Sequence, residues 1–174
     1  MIVTMRTTIL LGCLACATLH AQNNLTTAAM QRYFNPVRRN LEASAEVMPA
    51  EKYGFRLTEG QRTFAEWINH SSERNYRDCA ILRSEPAPDA LKRVPSLKEK
   101  AEVTQALKDS FAYCAAALEK MDDQKIGSSP EVSTAFLHVI VHSNEIYGNV
   151  VGYLRSSGIV PPSTAAVRSQ GKTR

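Results

Sequence analysis

The sequence predicts an all-α protein, an up-down-up-down four-helix bundle. Three observations lead there. Apolar residues recur at steps of three and four through four long segments. The period-two alternation of a half-buried strand is scarce. Proline and glycine cluster between the segments, apart from Pro36 in the first and Gly148 and Gly152 in the fourth.

The first segment runs from Thr26 to Val47, and its apolar positions are Ala29, Met30, Tyr33, Phe34, Val37, Leu41 and Ala45. Pro36 lacks an amide hydrogen, so the helix is expected to kink or restart there. Met48–Pro49 ends it. A connector, Ala50–Gly60, leads to a second helix over Gln61–Leu82, with Phe64, Trp67, Ile68, Ser71, Tyr76, Cys79 and Ala80 inward and His70 near that face. Ser84–Ser96 carries three prolines and reads as a loop lying over the bundle, long for a helix–helix connection. The third helix spans Leu97–Met121, burying Val103, Leu107, Phe111, Cys114, Ala115 and Leu118. Asp122–Asp123 then reads as a solvated turn. The fourth helix has clear ends: Ser129 to cap it, Pro130 and Glu131 for its first turn, and Gly158 as a left-handed stop after Ser157. Ile159 can fold back on the last turn, and Pro161–Pro162 bar continuation.

The ends of the chain read differently. Met1–Ala21 has one charge, Arg6, an uncharged run from Thr7 to Leu19, and a small residue before polar Gln22. That is the layout of a secretory signal peptide, and the run is short for a membrane span. The expected division is a signal over 1–21, a bundle over 22–162 and a disordered basic tail over 163–174. Without Arg6 the chain carries 20 basic and 17 acidic residues, a net charge of +3. With both signs interspersed, nucleic acid is not an expected partner. No membrane association is expected once the signal is removed, and the location is periplasmic or secreted. Two of the four cysteines, Cys79 and Cys114, remain after that cut. An exported chain permits a disulfide between them, and two buried thiols fit the pattern as well.

The chemistry falls to three histidines, because His20 leaves with the signal. His138 and His142 are one helical turn apart, so their rings share a face. His70, on another helix, could complete a set in the bundle interior. The pair alone is a weak signal, since one ring can face the core while the other faces water. Other catalytic patterns are missing: there is no GxSxG elbow and no phosphate-cradling glycine loop.

Two stretches carry a resemblance. HSNEIYGNVVGYLRSSGIVPP resembles the last helix of DinB-like (damage-inducible/YfiT-type) proteins, and RTFAEWINHSSERNYRDC resembles their second helix. The resemblance extends over about Leu25–Pro162. It implies a four-helix bundle with a divalent metal, zinc or nickel, held by three histidines. One comes from the second helix and two from the fourth at i and i+4, the later one seven residues before the tyrosine of a Tyr-Leu-Arg run. Relatives with known activity are thiol-dependent transferases or isomerases, and a homodimer fits the family type.

Carried onto this chain, the second-helix ligand is His70 and the first of the fourth-helix pair is His142. Counting back from Tyr153, the third ligand position holds Ile146, which offers no lone pair. His138 lies one turn too early. It could substitute only if the ion moved along the axis by roughly 5 Å. Glu145 is adjacent to Ile146 but points about 100° away. With the signal-like N-terminus, the resemblance leads to an exported protein that could be a divalent-metal-dependent thiol transferase or hydrolase with a degenerate histidine triad. The other reading is a non-catalytic bundle that binds a small ligand or a partner protein.

Overall fold

The computed structural model describes residues 24–171, with side chains as far as Val167. Met1–Ala21, read above as an export signal, lies outside the described residues. Seven helices and no strand occur among them: α1 (Leu25–Val47), α2 (Phe64–Arg83), the single turn α3 (Ala90–Arg93), α4 (Lys100–Leu118), the single turn α5 (Asp123–Ile126), α6 (Pro130–Ser156) and α7 (Pro162–Gly171).

The all-α bundle stands as expected, but its directions do not. Asn69 donates to the Leu97 carbonyl at 2.8 Å, Asn75 meets Ser110 at 3.1 Å, and Cys79 is joined to Cys114. Residue numbers rise together along this seam, so α2 and α4 are parallel. Lys100 reaches the carbonyls at Glu46 and Met48 while Gln31 reaches that of Leu118, which makes α1 and α4 antiparallel. His70 meets His142 and Asp78 meets His138, so α2 and α6 are antiparallel. The order is up-down-down-up, which corrects the expected up-down-up-down. The cause is the loop Ser84–Glu99. A helix of 20 residues is about 30 Å long, and an extended segment at ~3.3 Å per residue can return the chain along that length. α1 and α2 then stand diagonally, each packed on α4 and α6.

Three further expectations are corrected. Of the kink or restart expected at Pro36, the restart does not occur, since α1 is one continuous helix. Pro36 and Arg32 are both exposed, so water can satisfy the carbonyl that the missing amide leaves free. Tyr33, expected inside, is 64% exposed, because the buried stripe is Phe34, Val37, Leu41 and Ala45, and Tyr33 sits a step around the helix. Of the tail 163–174, expected to be disordered, residues 163–171 belong to α7. Tyr147 holds its start, accepting from the Ser163 amide at 3.0 Å and donating to the Ser163 hydroxyl at 2.8 Å.

The punctuation of α6 is as read. Ser129 accepts from the Val132 amide at 3.2 Å, and the Ile159 amide folds back to the Leu154 carbonyl at 2.9 Å around Gly158 at φ 77°. The two aspartates do more than turn the chain. Asp122 caps α5, and Asp123 accepts from the amides of Thr26 and Thr27, so it caps α1 from across the fold. The core is aromatic at its centre, with Phe34 edge-on to Phe111 at 5.8 Å and Phe64, Ile68, Phe136 and Tyr153 fully buried. Cys79 and Cys114, left open between thiols and a bridge, form a disulfide with Cα atoms 5.2 Å apart.

Candidate functional site

The face of α2 toward α6 is polar at every fourth residue: His70, Arg74, Asp78. α6 answers with His142 and His138. Steps of four keep these side chains on one stripe of each helix, and the antiparallel run sets His70 against His142 and Asp78 against His138.

At one end of the seam His70 Nε2 and His142 Nε2 are 3.0 Å apart, with the rings perpendicular. His142 Nδ1 lies 2.8 Å from Glu145 Oε2, a contact that places a proton on Nδ1. Neutral His142 then has its lone pair on Nε2, and His70 supplies the hydrogen between the two rings. The network thus assigns a chain in which His70 Nε2–H donates to His142 Nε2 and His142 Nδ1–H donates to Glu145. Burial pushes the His70 pKa down to about 4, helped by the charge of Arg62 and by the neighbouring His142, Arg74 and His138. A neutral His70 suits this arrangement.

At the other end His138 Nδ1 is 2.6 Å from Asp78 Oδ2, and Arg74 holds Oδ1 of the same carboxylate at 2.7 Å. Asp78 is 3% exposed, so both its oxygens find partners where water does not reach. Between the two ends the rings of His138 and His142 stack, with centroids 4.5 Å apart and planes at 21°. Arg74 and Asp78 form an i, i+4 ion pair along α2, while Glu73 Oε2 stands 4.0 Å from His70 Nδ1.

Ile146, in the position that the resemblance gives to a third histidine, is 1% exposed and belongs to the hydrophobic core. His70 and His142 are therefore brought together as expected, while His138 and Glu145 are not aimed at the point between them. Among the described residues no group of three or more His, Cys, Asp or Glu side chains converges to hold a metal ion. The residues fit two ligands of the implied divalent ion and not the third.

His70 also lines an open cleft of about 690 Å³ with Arg56, Arg62, Trp67, Asn69 and Glu73. Trp67 fixes one wall: its indole donates to Tyr153 Oη at 3.2 Å and the Arg62 guanidinium lies over its ring at 5.0 Å. The Tyr153 hydroxyl donates in turn to the Arg62 carbonyl. Tyr153 thus ties the end of α6 to the cleft wall, a role its Tyr-Leu-Arg setting did not reveal. Asp78 and Arg74 were also missed. Their signal was present as the four-residue polar stripe that starts at His70.

No helix among the described residues is long and apolar enough to cross a membrane. Comparison with curated proteins and with solved structures returns no match. The family model of the DinB superfamily matches residues 33–145, more than half of the chain, and spans His70, His138 and His142. With the helical bundle and that match together, the chain belongs to the DinB superfamily.

Proposed function

We propose that this protein is an exported ligand-binding bundle, with a small molecule held in the cleft beside His70. The observation that carries the reading is the cleft itself, about 690 Å³, ending on a buried-side imidazole. That volume is in the range of small-molecule sites. Its charged lining, Arg56 and Arg62 against Glu66 and Glu73, is balanced and suits a ligand bearing both signs of charge. Neutral His70 adds a hydrogen-bonding group. Export is supported by the signal-like Met1–Ala21 and by the disulfide, which persists in oxidising compartments.

Trp67 is the only tryptophan of the chain and stands in the cleft wall, so its fluorescence reports occupancy. Titration with a panel of amino acids, short peptides and low-molecular-weight thiols should give saturable quenching for at least one class. Arg62→Ala and His70→Ala should weaken it about tenfold each. A flat signal across the panel, with unchanged melting temperature, would remove this reading.

A second reading, a divalent-metal-dependent thiol transferase or hydrolase, has one observation in its favour. Two ligands of a tetrahedral zinc ion at about 2.05 Å stand about 3.3 Å apart, close to the 3.0 Å between the Nε2 atoms of His70 and His142. Thiol transfer to an alkylating electrophile, dependent on added zinc or nickel and lost in His142→Ala, would favour it over the first.

A further inference from the structure

We infer that a hydrogen bond between two imidazoles closes the place of the ion in this chain, and that Ile146 alone separates it from a three-histidine metal centre. An ion bound by both Nε2 atoms must sit between them and needs a third donor on the same side. Glu145 contacts His142 at Nδ1, the far side of the ring from Nε2. Glu73 stands off His70 at Nδ1, again on the far side. His138 is stacked on His142 at 21°, so its in-plane lone pairs run alongside those of His142 instead of meeting them, and its Nδ1 is committed to Asp78. Ile146, one turn beyond His142 on the same stripe, is the remaining candidate, and it brings only hydrocarbon to the core.

Two nitrogens without a third protein donor make a weak zinc site. An entering ion would also have to displace the proton that links His70 to His142. The Glu145 carboxylate at His142 Nδ1 resembles an outer group that orients a metal-bound histidine, but here it fixes the tautomer for a hydrogen bond. The inference goes beyond the ligand-binding reading and does not depend on it, since it rests on the groups around the two Nε2 atoms and not on the cleft.

The test uses the untagged mature chain, residues 22–174, and cobalt(II) or zinc as probe. Wild-type protein should retain no stoichiometric metal after dialysis and show no cobalt ligand-field spectrum. Ile146→His should bind about one equivalent and lose it again in the double variant with His142→Ala. A folded Ile146→His, judged by far-UV circular dichroism, that binds nothing would overturn the inference. So would one equivalent bound by the wild type and lost in His70→Ala. Because a polar ring in the core can prevent folding, a second measurement stands on the wild type alone. Long-range ¹⁵N–¹H spectra of the histidines should show a proton on Nε2 of His70 and on Nδ1 of His142, unchanged by an equivalent of zinc. The opposite tautomer at His70, or loss of these signals on adding zinc, would overturn it. Ligand binding read by Trp67 is a separate signal, so either proposal can fail without the other.

Discussion

α2 has two seams, and they are built for different ends. Toward α4 it is dry and closed. Asn75 is bonded to Ser110, Asn69 to a backbone carbonyl, and Cys79 to Cys114, all in the interior. Toward α6 it sets His70, Arg74 and Asp78 against His138 and His142 of that helix, and the three histidines keep a fifth to a third of their side-chain surface in water. One helix thus divides its circumference between a covalently pinned face and a partly hydrated face of ionisable side chains. Such a division is economical in a single bundle, because the pinned seam can hold the backbone while the other tolerates polar groups that cost stability.

The largest expected effect breaks the pinned seam. Replacing Cys79 and Cys114 by alanine opens a loop of 35 residues and should cost about 3–4 kcal/mol, read as a shift of the urea midpoint against wild type. An unchanged midpoint would mean that the helices hold this seam without the bond. Next comes Asp78→Ala on the polar seam. It strips Arg74 and His138 of a common buried partner and should cost about 3 kcal/mol. If the loss is instead below ~0.5 kcal/mol, the cluster is merely a surface pair.

The acid limb of the stability curve sharpens the comparison further. The His70 pKa is about 4 in the fold against an ordinary value of 6.5, so the unfolded chain binds the extra proton between those values. Stability should therefore fall as pH falls from 6.5 toward 4, by about 1 kcal/mol once partial exposure is allowed for. His70→Asn should flatten that part of the curve. A wild-type curve parallel to the variant's would show that His70 titrates normally. The smallest effect is Glu145→Ala, on a mostly exposed carboxylate. Stability should change by less than about 0.5 kcal/mol, while the His142 Nδ1 proton loses its acceptor and shifts upfield in the proton spectrum. A large destabilisation would make Glu145 part of the fold rather than a tautomer setter.

Much of this was legible in the sequence. Helix positions follow from apolar spacing, and the ends of α6 from Ser129, Pro130 and Gly158, because caps and left-handed stops depend on residues a few positions apart. His70 and His142 were also legible as partners, through the resemblance, and so was the misfit at Ile146. The Asp78–His138 contact was not. Its two residues are 60 positions apart, and only the antiparallel run of α6 along α2 gives them a common height.

Local periodicity and side-chain identity determined the helical class, the positions of the long helices to within about three residues, and which residues could do chemistry. Only the tertiary structure decided the up-down-down-up order, the joining of Cys79 to Cys114, and the sides from which Glu145, His138 and Glu73 approach the histidine pair. The physical reason is the same in each case. A crossover such as Ser84–Glu99 costs little more closure entropy than a short turn, so the chain does not announce its direction locally. Direction is chosen by which stripes of distant helices can bury one another and satisfy their polar groups together.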